Sequence, residues 1–234
     1  MTAPCGRAHC PVAAPDTDLL AQLSAVPWPA DERLHRGHRL ARPADELVPG
    51  VGDTRFAPLA DLHHTYLSRS RTAGLLESAL HELSGADPTI YLAILDGWGL
   101  TEVTLRASVS LADLRNPELD RIGVTRDRLV DTDPLHYPCT REWAGEIAAV
   151  RSGDGPVDGM LWHSRQADLH ARSHQDGLLG DLLTHRATEV AVMWRPPTAA
   201  ALLDTVSDTE PLVHAGRPAR LVVELSAITG APIA

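Results

Sequence analysis

What most constrains this chain is the rhythm of its apolar runs, which are short, closed by turn residues, and mixed with short helical patterns in no fixed alternation. Thr65-Tyr-Leu-Ser68, Thr89 to Leu95, Leu100 to Leu105, Ser108 to Leu111, Met160 to Trp162, Glu189 to Trp194 and Leu221 to Leu225 read as strands. Asp16 to Val26, Ala73 to Leu83, Thr125 to Val130 and a segment opened by Thr140 read as helices, the last stacking Trp143, Ile147 and Val150 before Gly153-Asp-Gly-Pro156 ends it. A doubly wound parallel sheet requires strand and helix to alternate strictly, so the pattern predicts an α+β fold. The close succession of runs between Thr89 and Leu111 predicts a meander.

A chain of 234 residues can bury a core without disulfides or metals. The Pro-, Ala- and Cys-containing residues 1 to 15 read as a mobile arm. The organisation expected is an arm and short helix over 1–30, a catalytic domain over 31–198 and an extension over 199–234. Ala199–Leu203 and Leu221–Ile228 of that extension are left to pack on the core or against another subunit of a homo-oligomer.

A formal net charge of −10 excludes a nucleic-acid surface, which needs a concentrated basic face. An anionic ligand would have to be held by local cations, and all 21 basic residues are arginine. Guanidinium suits bidentate phosphate contacts, but composition alone says nothing about the ligand. No run approaches the ~20 apolar residues of a bilayer span, and the start lacks a signal-peptide pattern, so a cytoplasmic, membrane-free protein is expected.

No Gly-x-Gly-x-x-Gly, phosphate-binding Gly-x-x-x-x-Gly-Lys, Gly-x-Ser-x-Gly or His-Glu-x-x-His occurs. A dinucleotide, if bound, is not bound in a Rossmann manner. Cys5, His9 and Cys10 form the most metal-like cluster, but no fourth ligand stands at a diagnostic spacing, so no metal site is expected. The other histidines read as surface or core residues, and Cys139 as an inert thiol.

Four segments, in order, carry a resemblance: Leu34-His-Arg36-Gly-His-Arg39 with Thr54-Arg55-Phe56-Ala-Pro58; Thr65-Tyr66-Leu-Ser68 leading into Ala73-Gly-Leu-Leu-Glu77-Ser-Ala-Leu-His81; Ile122 through Asp131-Thr-Asp133 to Tyr137-Pro-Cys-Thr140-Arg-Glu-Trp143; and Asp158-Gly-Met-Leu-Trp-His-Ser164-Arg165-Gln166. Together they span about 34 to 195 and resemble the RES domain family, named for its Arg, Glu and Ser. The chain departs from the family at His35, where an aromatic is usual, and at Asp53-Thr54-Arg55-Phe56-Ala57, where a Gly-Gly-Arg run is usual.

The resemblance implies an ADP-ribosyltransferase-like core of small packed β-sheets flanked by short helices. It implies cleavage of the nicotinamide–ribose bond of NAD by phosphorolysis or hydrolysis, with NAD as substrate, phosphate as a potential co-substrate and no cofactor. Many members are toxins paired with a helix-turn-helix antitoxin. Carried over by motif, Arg36, Glu77 and Ser164 are the catalytic residues. Arg55, Tyr66, Arg39, Arg165 and Tyr137 are the substrate-binding ones, with Tyr66 placed to stack on nicotinamide. Transfer of ADP-ribose to a macromolecule and a non-catalytic interaction protein stay open as alternatives.

The chemistry suits one carboxylate. Nicotinamide is cationic in NAD and leaves neutral, so its departure needs no general acid, unlike ordinary glycosides that use a carboxylate pair. Positive charge then develops on the ribose, and a carboxylate at Glu77 is favoured most in that transition state. On residue type alone, Glu77 with His81 could equally be a surface pair, and Arg36 and Arg55 ordinary solvated arginines.

Overall fold

In the computed structural model, which describes residues 3–49, 53–59, 61–81, 83, 88–149, 151–152, 155–168 and 186–234, the apolar runs join one large mixed sheet. Its strands are β1 (Ala25–Trp28), β2 (Arg33–Arg39), β3 (His63–Ser68), β4 (Trp98–Leu105), β5 (Val109–Asp113), β8 (Gly159–His163), β9 (Glu189–Arg195), β10 (Leu203–Thr205) and β11 (Glu210–Pro211). Two ribbons stand apart, β6 (Arg151–Ser152) with β7 (Gly155–Pro156), and β12 (Val213–His214) with β13 (Arg217–Pro218). The helices are α1 (Thr17–Leu20), α2 (Arg71–Leu76), α3 (Leu92–Leu95), α4 (Glu118–Arg121), α5 (Arg126–Leu129), α6 (Tyr137–Ala149) and α7 (Arg220–Thr229). Residues 165–168 are also helical.

The sheet runs β1-β5-β8-β9-β3-β2-β4-β10, with β11 also on β4. Every pairing is antiparallel except β5 with β8. Alternation along β8 and β9 sends Met160, Trp162, Val190, Val192 and Trp194 to one core and Leu161, Ala191 and Met193 to another. Both faces are thus buried, which is why these strands read as unbroken apolar runs.

The second core holds Trp28 of β1, Leu111 of β5, Leu34 of β2, Val103 of β4 and Leu203 of β10, side chains from opposite ends of the strand order. One face of the sheet therefore closes on itself as two packed layers. Helices α2, α6 and α7 cover the other face through Leu75, Leu76, Trp143, Ile147, Leu221 and Val222.

Several local expectations change. Strands β4 and β5 follow one another but are not neighbours, since β4 lies between β2 and the β10–β11 pair while β5 lies between β1 and β8. The expected meander is absent from this region. The run Thr89 to Leu95 contains α3, with only Ile90 in a bridge, to Ile233. Leu221 to Leu225 lies in α7, where buried Leu221, Val222 and Leu225 follow a helical stripe rather than alternation. The Asp16–Val26 helix shrinks to α1 before β1 begins, and the helix from Ala73 stops at Leu76. Val150 and the Gly153-Asp154 turn lie outside the described residues.

The N-terminal arm is docked rather than mobile. Val12 is buried in the first core, and Ala13 O accepts the indole N–H of Trp143 at 2.7 Å. Beyond Arg195 the chain returns to the sheet, where β10 and β11 cover the edge of β4 that β2 leaves open.

Candidate active site

The first polar turn after β3 sets the site. Ser70 caps α2 by accepting from Ala73 N at 3.1 Å, and its hydroxyl donates to Ala187 O at 2.7 Å, fixing the helix to the chain entering β9. The helix α2 ends at Leu76, and Glu77 is its C-cap. A side chain at Gly37 would sit 2.0 Å from Ser78 Oγ, and one at Gly74 would sit 2.6 Å from Ser68 Oγ. These glycines let α2 lie directly on β2 and β3, which brings Glu77 beside the strand carrying Arg36.

Glu77 is held from behind. Ser164, with no exposed surface, donates from Oγ to Glu77 Oε1 at 2.7 Å and accepts from Ala167 N at 3.2 Å. Glu77 Oε2 lies 4.0 Å from Arg55 Nη1. Both side chains are about one-eighth exposed at 12 %, so their charges interact with less screening than a surface pair. Ser164 itself follows β8 and is steadied by Arg126, which donates to His163 O at 2.7 Å and pairs with Asp168 at 2.6 Å and Asp131 at 3.0 Å.

In front of Glu77 opens a cavity of about 480 Å³, within the range of small-molecule sites. Arg36, Arg39, Arg42, Arg55 and Arg165 line it, against the carboxylates of Glu77 and Asp53. A chain of net charge −10 thus concentrates five arginines around two carboxylates.

The cations are differently held. Arg36 is 3 % exposed and donates to Ala44 O, and burial lowers its pKa to about 10, which leaves it charged at neutral pH. Arg39 is exposed and lies over the Trp98 ring at 4.5 Å. Arg55 lies over the Tyr137 ring at 5.5 Å and donates to Thr132 O at 3.4 Å. Its own carbonyl accepts from Thr140 Oγ1. Arg165 donates to Asp131 O at 3.2 Å.

Tyr66 lines the cavity, but its hydroxyl is engaged with the Arg55 loop, sharing a 2.8 Å bond with Thr54 Oγ1 and accepting from Phe56 N at 3.2 Å. Burial raises its pKa to about 12. Its ring meets Trp162 edge-on at 6.0 Å. Among the described residues, Arg55 Nε, His64 Nδ1, Thr65 Oγ1, Trp98 Nε1, Trp162 Nε1 and Gln166 Oε1 are buried side-chain atoms of cavity-lining residues without a protein partner. Such groups are costly unless something polar meets them.

Seven of the eight residues singled out in the sequence line one cavity: Arg36, Arg39, Arg55, Tyr66, Glu77, Tyr137 and Arg165. Ser164 is the exception and stands behind Glu77. Sequence reading missed Arg42, His64, Trp98 and Gln166. His64 was within reach, because once Tyr66 is placed on a strand its neighbour two positions away shares that face.

The family model of the RES domain matches residues 27–213. A chain of the crystal structure of the M. tuberculosis MbcT–MbcA toxin–antitoxin complex aligns with a TM-score of 0.50 at 15 % sequence identity, covering 82 % of this chain and 88 % of that one. No curated protein matches.

Proposed function

The chain belongs to the RES domain family, and on that premise we propose that it cleaves the nicotinamide–ribose bond of NAD and passes ADP-ribose to phosphate or water. Its fold is of the α+β class expected, with one large mixed sheet flanked by short helices in place of the small packed sheets that the resemblance implied. The observation that carries the proposal is the Ser164–Glu77 hydrogen bond at the base of an arginine-lined cavity.

In this reading the pyrophosphate lies among Arg36, Arg39 and Arg55, whose guanidinium groups give charge-assisted contacts and fix the position of the ribose. The glycosidic C–N bond breaks with its electron pair leaving on nicotinamide, which becomes neutral. Glu77 faces the ribose as positive charge grows there. Ser164 fixes one oxygen of Glu77, and Arg55 stands near the other, so the carboxylate needs no reorganisation at the moment of reaction. A phosphate or water oxygen then bonds to the anomeric carbon. With water, the displaced proton passes to solvent.

The unpartnered polar atoms of His64, Thr65, Trp162 and Gln166 support a polar ligand in the same space, the nicotinamide amide being one group that could meet them. The neighbour belongs to a toxin–antitoxin complex, which supports an analogous role with an antitoxin partner here; that this partner carries a helix-turn-helix domain and covers the cavity mouth is part of the proposal and comes from the family resemblance alone.

The test is to incubate folded protein with NAD, with and without inorganic phosphate. Nicotinamide release is expected, accompanied by ADP-ribose or its anomeric phosphate ester. Absence of release under both conditions would falsify the proposal. Label from NAD retained on a macromolecule would mark the transferase alternative.

A further inference from the structure

All three cysteines of the chain meet at one point, although Cys139 lies 134 and 129 positions beyond Cys5 and Cys10. Cys10 Sγ lies 3.6 Å from Cys139 Sγ and 3.3 Å from His136 Nδ1. Cys5, Cys10 and His136 present ligand atoms that all lie within 4.8 Å of one another, and Cys139, outside that set, adjoins it through Cys10 and Cys5. The backbone N–H of Cys5 points at Cys139 Sγ at 3.4 Å. The arm brings its two cysteines together through a turn in which Gly6, at φ +71, donates to Ala3 O at 2.7 Å. The other pair, His136 and Cys139, stands at the start of α6.

We infer that Cys5, Cys10, His136 and Cys139 form a structural zinc site that fastens the N-terminal arm to α6. Three sulfurs and one imidazole are a recurrent zinc set, and soft donors select zinc over calcium or magnesium. Zinc–sulfur bonds of about 2.3 Å in a tetrahedron place the sulfurs about 3.8 Å apart, close to the Cys10–Cys139 separation. A disulfide would need about 2.05 Å, and all three cysteines are free. Four protein ligands leave no open position, so the metal's role is to hold structure, not to carry out chemistry. His9, the histidine that the sequence puts beside Cys10, is exposed and outside the cluster.

The site reaches toward the cavity without entering it. His136 precedes Tyr137, whose ring underlies Arg55, and Cys139 precedes Thr140, which donates to the Arg55 carbonyl. A metal here would hold the end of α6 that positions Arg55, and its binding energy would add to folding.

The experiment is zinc and thiol analysis of the full chain, produced with zinc present and dialysed against metal-free buffer. One zinc per chain is expected, with thiols that react only after a strong chelator removes it. Cobalt(II) in its place should give thiolate-to-metal charge transfer and the intense visible bands of tetrahedral coordination. Cys10→Ser and His136→Ala should each lose zinc, while His9→Ala keeps it. Because the first two variants risk misfolding, cobalt titration of the reduced, folded wild-type chain decides independently. No cobalt spectrum there, or a disulfide between any two of these cysteines in protein purified under reducing conditions, overturns the inference.

Discussion

Ser164 Oγ donates to Glu77 Oε1 at 2.7 Å from a position with no surface of its own. The hydroxyl therefore acts on whatever occupies the cavity through the carboxylate it holds. Ser164→Ala removes one bond to a charged group, worth about 1.5–3 kcal/mol, and turnover is expected to fall roughly 10- to 100-fold with KM for NAD changed little. Steady-state kinetics of nicotinamide release check this. A large rise in KM with turnover unchanged would instead put Ser164 in contact with substrate.

Glu77→Gln keeps an oxygen to accept from Ser164 but removes the negative charge. In the proposed reaction that charge matters most as the C–N bond lengthens. Turnover should drop by about 10²–10³, the scale of losing one strong transition-state contact, while NAD affinity measured by calorimetry stays within severalfold. Retained turnover would rule out Glu77 as the group facing the ribose.

Tyr66→Phe keeps the ring against Trp162 and deletes the hydroxyl that ties down Thr54 and Phe56 on either side of Arg55. About 1–2 kcal/mol of stability should be lost, and the looser Arg55 loop should raise KM more than it lowers turnover. Denaturant unfolding and kinetics of the same variant give both readings.

Much of this arrangement was legible because the residues share short motifs, and much was not because the rest depends on contacts across the chain. Arg36, Glu77 and Ser164 sit in segments whose order and spacing survive in the sequence. That Ser164 stands behind Glu77 was not legible, because a strand that is buried on both faces gives no sign of what lies beyond its end. Leu221 to Leu225 was misread as a strand for a related reason, since a short apolar run has no decisive period and only packing on the core settles it. The approach of His136 to the cysteines was not legible because it lies 126 positions beyond Cys10. No local spacing rule reaches that far.

His64 supplies a pH dependence. Burial first, then the nearby positive charges of Arg36 and His63, lower its pKa from 6.5 to about 4. Between those values the unfolded chain binds the proton and the folded one does not, so stability from this group is complete above pH 6.5 and is lost as pH falls toward 4. Its share of the loss from pH 7 to pH 5 is about 2 kcal/mol. His64→Gln should flatten the stability–pH curve in that window, as followed by urea unfolding. An unchanged slope would show that His64 is protonated in the fold.

At the start of β9, Glu189 is 2 % exposed and bridges Arg69, just past the end of β3, at 2.6 Å and Arg115 at 2.5 Å. Glu189→Ala leaves two guanidinium groups short of their anion and should cost about 3–5 kcal/mol, read as a lowered urea midpoint. A cost below about 1 kcal/mol would mean that Glu32 and Asp113 already satisfy those arginines.

The short strands β10 and β11 have a bearing on how many molecules of this protein stay apart. They lie along β4, which would otherwise show a row of free amides and carbonyls to any other copy. A chain ending near Pro196 would keep every residue of the arginine-lined cavity yet carry an adhesive margin eight residues long. The segment after the four family motifs thus serves as a hem as well as a cover for both cores, and its removal should be felt as self-association in solution together with lost stability.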